Sequence, residues 1–308
     1  MTPTPTAASA SPVLDLTRLT RRYGSLTAVD DVSLRLPAGA RHAVIGPNGA
    51  GKTTLLNLIA GTDRPDQGTI VLNGTDITRT ATARRSRLGI ARSFQQPSVI
   101  SELTVLDNVV LAGWPHHPKR RGAWRSPSRY RLHTESAGRH LEAVGLADIA
   151  HRPASTLSHG QRRMLDLAAA LAGEPRLLLL DEPAAGLTDG DIGRLLGVLG
   201  GLPESVAIIL VEHHVEVVAQ LASTVTVLAA GRVLVTGPTQ EALAHPEVRD
   251  AYHTTGTTAD RTTAGAARPT TAASTAAAST AASTAAASTA SASATDPSDT
   301  GPSADARG

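Results

Sequence analysis

Gly46-Pro47-Asn48-Gly49-Ala50-Gly51-Lys52-Thr53-Thr54 has the spacing of a phosphate-binding loop: a glycine, four residues, then Gly-Lys and a hydroxyl. Gly46, Gly49 and Gly51 allow a tight turn that aims backbone N–H groups inward. With the N-terminus of a following helix, those donors form an anion site. Lys52 adds a point charge for the outer phosphates, and the Thr53 hydroxyl is a natural Mg²⁺ ligand. Lysine occurs only at 52 and 119, and every other basic residue is arginine. A chain that writes arginine almost everywhere still writes lysine here.

Other candidate groups stand where apolar runs end. Leu177 to Leu180 is apolar on both faces and reads as a buried parallel strand. Asp181 and Glu182 follow it. In phosphate-loop enzymes such an aspartate holds Mg²⁺ through water and the next glutamate polarises the attacking water; the alternative is a solvated turn. Gln95 ends an expected strand from Leu88 to Phe94, where α/β sheets bind ligands. It is open between a contact to Mg²⁺ or water and a loop amide capping the strand. His213 follows the apolar run Val206 to Val211, where a donor could reach a γ-phosphate or serve the fold alone. Ser158, Gly160 and Gln161 open a helix, either as a second anion site or as an ordinary N-cap. Tyr23 lies just before the loop and is open between stacking on an adenine and turn packing.

The elements that must position these groups are legible from periodicity. Val13 to Leu19 reads as a strand and Tyr23-Gly24 as a turn. Val32, Leu34 and Leu36 alternate in a second strand ended by Pro37-Ala38-Gly39. Two strands with no helix between them predict an antiparallel sheet on an α/β core. Ala43-Val44-Ile45 leads into the phosphate loop, and Leu55, Leu56, Leu58 and Ile59 continue as a helix. Gly68 to Gly74 is a strand closed by an Asn-Gly turn. From Ser101 to Ala172 the pattern is mostly helical, with Thr104 capping one helix, Leu132 to Leu146 forming another, and Gly173 ending the helix that Ser158 opens. Asp189 to Leu199 is a helix. Val225 to Leu228 and Val233 to Val235 close the sheet, and short helices start at Pro238 and span Pro246 to Tyr252.

Composition narrows the classes. Net charge is +2, so no strong attraction to a polyanion follows and no nucleic-acid partner is expected. With no cysteine, disulfides, thiolate metal sites and cysteine nucleophiles are excluded. No apolar run approaches the ~18 residues needed to cross a bilayer. The start, 1–12, has neither a basic segment nor an apolar core, so an intracellular soluble protein is the default expectation. The stretch from Trp114 to Arg125 is basic and Pro-rich, and is open between a solvated loop and contact with anionic lipid or a partner. His116 and His117 have no companions at ligand spacing, so no metal site is read there. Residues 254–308 contain no Val, Leu, Ile or aromatic residue and are expected to be disordered, as are 1–12. The expected folded domain is 13–253.

In order, these motifs resemble the ATP-binding subunit of ABC transporters from Val13 to Tyr252. The resemblance implies a P-loop NTPase core of class α/β, an antiparallel β subdomain, and a helical subdomain over about 97–172 that carries the family signature. It implies ATP and Mg²⁺ as cofactors. Gly46 to Thr53 matches the Walker A loop and Tyr23 the adenine-stacking aromatic. Gln95 matches the Q-loop glutamine, and Leu157-Ser158-His159-Gly160-Gln161 the signature, usually Leu-Ser-Gly-Gly-Gln. Asp181 matches the Walker B aspartate, Glu182 the catalytic glutamate and His213 the switch histidine. Thr53, Gln95 and Asp181 would then hold Mg²⁺. The chain departs from the family pattern at His159, and at Thr188 where the D-loop usually has aspartate.

Shorter stretches are similar to importers of branched-chain amino acids and related amides. They include Ala91 to Gln95, Leu103 to Val109, Asp181 to Leu187, Val211-Glu212-His213 and the closing His245-Pro246-Glu247-Val248 to Ala251-Tyr252. Ser158 to Gln161 and Gly186 to Asp189 are similar to the urea-importing members. A second ATPase subunit, as a homodimer or heterodimer, is implied, because in the family the signature completes the opposite subunit's site. Permease subunits at the cytoplasmic face of the membrane are implied too, with an extracytoplasmic substrate-binding protein for an importer. The alternative is the ATPase of an exporter of lipid or glycolipid cargo, which keeps every nucleotide motif. A GTPase is disfavoured by the lack of an Asn-Lys-x-Asp loop. ABC ATPases of repair or translation carry coiled coils or two cassettes.

Overall fold

A computed structural model describes residues 12–93, 98–116 and 127–248. Gln95, most of the basic stretch after Trp114, the end of the helix expected at Pro246 and the tail from Thr254 lie outside those residues.

The chain opens with β1 (Leu14–Tyr23) and β2 (Leu26–Leu36), paired antiparallel. Tyr23 pairs with Leu26 and so ends β1, leaving Gly24 and Ser25 as the turn. After β3 (Arg41–Ile45), α1 (Lys52–Ala60) follows the phosphate loop. Next come β4 (Gln67–Leu72) and β5 (Thr75–Asp76), joined at Asn73-Gly74 as expected. The antiparallel sheet has the order β2-β1-β4-β5.

A short helix, α2 (Thr82–Arg87), precedes β6 (Ile90–Ser93). The expected strand therefore begins two residues late. Leu88 closes α2 by donating to the Arg84 and Arg85 carbonyls, and Gly89 reverses the chain at φ +98°. Arg85 is buried and donates to the carbonyls of Leu58, Ile59, Thr78 and Thr80. One guanidinium thus satisfies the open end of α1 and the turn before α2.

The helical segment contains α3 (Val105–Gly113), α4 (Pro127–Ala143) and α5 (His159–Leu171). Thr104 caps α3 by accepting from the Asp107 N–H. The chain returns through β7 (Leu177–Asp181), α6 (Asp189–Gly200), β8 (Ala207–Val211) and α7 (Val215–Leu221). It ends in the described region with β9 (Thr224–Ala229), β10 (Arg232–Pro238) and α8 (Thr239–Ala244).

The larger sheet has the order β10-β9-β3-β8-β7-β6. All its pairs are parallel except β9 with β10. The leucines of β7 divide between two cores. Leu177 and Leu179 pack with α1 and the antiparallel sheet, while Leu178 and Leu180 pack with α3, α5 and α6. A strand buried on both faces needs apolar side chains at every position, and this explains the unbroken run.

Across the sheet interior, His42 on β3 is 3% exposed and sits between the hydroxyls of Thr224 (2.8 Å) and Thr226 (3.0 Å). Burial pushes its pKa down to about 4. The unfolded chain takes up this proton near pH 6.5, whereas the fold refuses it until about pH 4. Stability is therefore full above pH 6.5 and declines as pH falls through that window, by up to about 3 kcal/mol. Urea unfolding of wild type and His42→Asn between pH 7 and 4 checks this; the variant is expected to lose most of the slope.

Candidate functional site

β3, β8 and β7 are adjacent and parallel, so their C-terminal ends share one edge of the sheet. The phosphate loop follows β3, Glu212 and His213 follow β8, and Asp181 and Glu182 end β7. Residues distant in sequence are thus brought to one place.

The loop's glycines are required by space as well as by φ. A Cβ on Gly46 (φ +148°) would lie 2.1 Å from the Leu228 carbonyl oxygen, and one on Gly51 (φ +98°) 2.2 Å from that of Ala28. Gly51 is also the N-cap of α1, with no side chain between the helix N-terminus and an anion. Lys52 is 8% exposed and donates to the carbonyls of Gly46 (2.7 Å) and Pro47 (3.0 Å). Burial lowers its pKa, opposed by the carboxylates of Glu182 and Asp181. The loop's cation and the carboxylates at the end of β7 therefore attract one another.

Asp181 is 3% exposed and burial raises its pKa; Arg92, on neighbouring β6, opposes that shift. Arg92 donates to Asp181 Oδ2 (3.0 Å) and to Asn57 Oδ1 on α1 (2.6 Å). Glu182 adopts a left-handed φ of +48°, unusual for a residue with a side chain. Its Oε1 lies 3.9 Å from Nδ1 of the half-exposed His213. Glu212, fully buried, accepts from the N–H groups of Ala184 (2.9 Å), His213 (2.9 Å) and His214 (3.2 Å). It ties the loop after Glu182 to the histidine.

A constellation of carboxylate, histidine and lysine around an anion site suits phosphoryl transfer to water. The donors near Lys52 also fit a hard divalent cation: a threonine hydroxyl and a carboxylate, all oxygen.

Four sequence-derived candidates, Ser158, Gly160, Gln161 and Tyr23, stand apart. Ser158 caps α5, its Oγ accepting from the Gln161 N–H (3.2 Å) while Gln161 Oε1 accepts from the Ser158 N–H (3.0 Å). This is a capping box, and Ser158 is exposed. Among the described residues, neither side chain bonds to the phosphate loop, Asp181 or Glu182. A Cβ on Gly160 would lie 2.7 Å from Asp191 Oδ2, so a side chain there would require the Asp191 carboxylate to shift. Tyr23 is at the hairpin tip, its hydroxyl on Asp63 and one ring face under the Arg21 guanidinium at 4.7 Å. Gln95 falls outside the described residues.

The sequence alone assigns no role to Arg92, Arg163, Asp166 or Glu212. In a chain this rich in arginine, nothing in residue type separates a buried arginine from a surface one.

The family model for "ABC transporter" matches residues 29–185. The high-affinity branched-chain amino acid transport ATP-binding protein BraF of Pseudomonas aeruginosa is 34% identical over 248 residues, covering 78% of this chain and 97% of BraF. The ribose import ATP-binding protein RbsA 1 of Mesorhizobium japonicum is 36% identical over 227 residues, covering 73% of this chain and 42% of RbsA 1. Among solved structures, the ADP conformation of MJ1267, an ATP-binding cassette of an ABC transporter, superposes with a TM-score of 0.68 at 28% identity, covering 79% of this chain and 98% of MJ1267.

Replacing Arg92 with methionine leaves Asp181 buried beside Glu182 without its ion-pair partner. The expected loss is about 3 kcal/mol in urea unfolding. Adding Asp181→Asn removes the stranded charge, and the double variant is expected to recover to within about 1 kcal/mol of wild type.

Proposed function

The chain belongs to the ABC transporter family, as an ATP-hydrolysing subunit, and we propose that the system it drives imports branched-chain amino acids or related amides such as urea. The observation that carries the site reading is the meeting of Lys52, Asp181, Glu182 and His213 at the ends of β3, β7 and β8. The likeness to BraF along nearly its whole length supports the importer group. An exporter of lipid finds no support among these relatives.

In this reading the amides of Gly46 to Thr54 and the Lys52 ammonium cradle the phosphates of ATP. Tyr23 offers its free ring face to the adenine. Thr53, Asp181 and Gln95 would hold Mg²⁺, which when bound neutralises phosphate charge. Glu182 accepts the proton of the attacking water. His213, oriented by Glu212 through its backbone N–H, donates to the γ-phosphate, which receives the water oxygen as the bond to the β-phosphate breaks. Ser158 and Gln161 bond to each other's backbone rather than to their own chain's phosphate loop. With Gly160 they would complete the site of a second ATPase subunit, identical or paralogous.

No helix among the described residues is long and apolar enough to cross a membrane. Permease subunits would hold the chain at the cytoplasmic face of the membrane, and an extracytoplasmic binding protein would deliver cargo. The folded domain would span 13–253, with its helical subdomain over about 97–172.

Glu182→Gln is expected to keep Mg-ATP affinity within about twofold and to lower turnover by roughly 10²–10⁴-fold. Unchanged turnover would overturn the site reading. The same variant, trapped with Mg-ATP on its native membrane, is expected to co-purify with permeases and a binding protein that takes up leucine, isoleucine, valine or urea. A binding protein that takes sugar instead would overturn the cargo while leaving the ATPase chemistry intact.

A further inference from the structure

Glu182 is held in its left-handed conformation by groups outside its own strand. Its N–H donates to the Val211 carbonyl (2.9 Å). Its carbonyl accepts from Arg163 Nη2 (2.6 Å), and the next carbonyl, Pro183, accepts from Arg163 Nε (3.3 Å). Arg163 is 2% exposed and lies on α5, five residues after Ser158. One guanidinium therefore grips two consecutive carbonyls beside the candidate general base. A planar fork does this, whereas an ammonium reaches one carbonyl well and the other poorly.

The same face of α5 makes a second connection. Asp166, three residues on from Arg163, accepts from Ser93 Oγ (2.6 Å) and from the Ser98 N–H (3.0 Å). Ser93 adjoins Arg92, whose guanidinium pairs with Asp181. A single helix thus holds the backbone of Glu182 directly and the partner of Asp181 through one intermediate. The Ser158–Gln161 segment, with Ser158 and His159 exposed, opens it. A strained backbone at a reacting group persists only where its surroundings over-determine it, and these bonds supply that.

We infer that Arg163 is a positioning residue for ATP hydrolysis, fixing the Glu182–Pro183 backbone from the signature helix so that the Glu182 carboxylate addresses the attacking water. The inference rests on the proposed role of Glu182. Arg163 touches neither nucleotide nor water in this assignment, so its loss affects the chemical step and spares binding.

The test is steady-state ATP hydrolysis and Mg-ATP affinity of the full-length chain as wild type, Arg163→Met, Arg163→Lys, Glu182→Gln and the Arg163→Met/Glu182→Gln pair. Misplacing a reacting group by about 1 Å costs on the order of 100-fold in rate. Arg163→Met is expected to lower kcat by about that factor with Kd for Mg-ATP within about twofold. Arg163→Lys, retaining one of the two bonds, is expected to lose about tenfold. In the Glu182→Gln background, Arg163→Met is expected to lower residual single-turnover hydrolysis by no more than about twofold, because the group it positions is already gone. A role in folding alone would lower both backgrounds alike.

If Arg163→Met does not fold, Arg163→Lys decides by the same two readouts. A kcat within about twofold of wild type in a folded Arg163 variant overturns the inference, as does a loss of Kd that matches the loss of kcat, or full additivity in the double variant. If Glu182→Gln itself keeps wild-type turnover, the site reading fails. If Glu182→Gln is inactive and Arg163→Met is not impaired, only the positioning role fails.

Discussion

Charge buried at the end of a dry strand is the constraint that organises this molecule. Taking an ion out of water costs several kcal/mol after relaxation, and an isolated pair often recovers less than it loses. Here Lys52, Arg163, Asp181 and Glu212 are all buried within one edge of the sheet. Each is compensated in a way that also fixes geometry. Lys52 is held by two loop carbonyls, Arg163 by those of Glu182 and Pro183, and Glu212 by three backbone N–H groups. Asp181 is met by Arg92. The compensation is mostly backbone, so moving one charge displaces a loop rather than a single side chain. Preorganisation of this kind lets a site stabilise developing charge without reorganising at the moment of reaction.

The layers follow from the same requirement. A parallel sheet gives three neighbouring C-terminal ends, and it must be covered on both faces to keep the strands dry. α1 and the antiparallel sheet cover one face, and α3, α5 and α6 the other. The antiparallel sheet does more than cover. The Ala28 carbonyl on β2 abuts Gly51, so the strand that carries it leaves the loop room for glycine alone. The helices likewise do more than cover, since α5 reaches back into the charged edge through Arg163 and Asp166.

What could be read from the sequence was what depends on local pattern. The phosphate loop, the four-leucine strand and the carboxylates after it are contiguous, and their residue types are informative by themselves. So are the caps at Thr104 and Ser158. The helix Thr82–Arg87 escaped because it has no apolar period; it is held by the long reach of Arg85 to four carbonyls. Arg163 and Glu212 escaped for a related reason. Their distant partners are backbone groups, 19 and 20 residues away for Arg163 and 28 for the Ala184 N–H on Glu212, and a carbonyl or N–H leaves no mark in a sequence. In the sequence Glu212 stands out only as part of Val211-Glu212-His213, yet it binds two loops together.

The two departures from the family pattern have different physical weights. Thr188 is the N-cap of α6, accepting from the Asp191 N–H (3.3 Å) and donating to Asp191 Oδ2 (2.8 Å). Aspartate is also a good N-cap, so threonine here preserves the start of α6 and removes one negative charge from the loop. His159 is not a substitution of equal size for glycine. Its Nε2 lies 3.2 Å from where a Cβ on Gly186 would sit, so the ring fills space against the loop 183–188. That loop is then gripped at its start by Glu212 and Arg163, at its middle by His159, and at its end by Thr188. Two of these contacts come from α5, which Ser158–Gln161 opens, and Thr188 joins the loop to α6. The loop is therefore tied to the helix that Ser158 opens, and the histidine fills space there that a glycine would leave open.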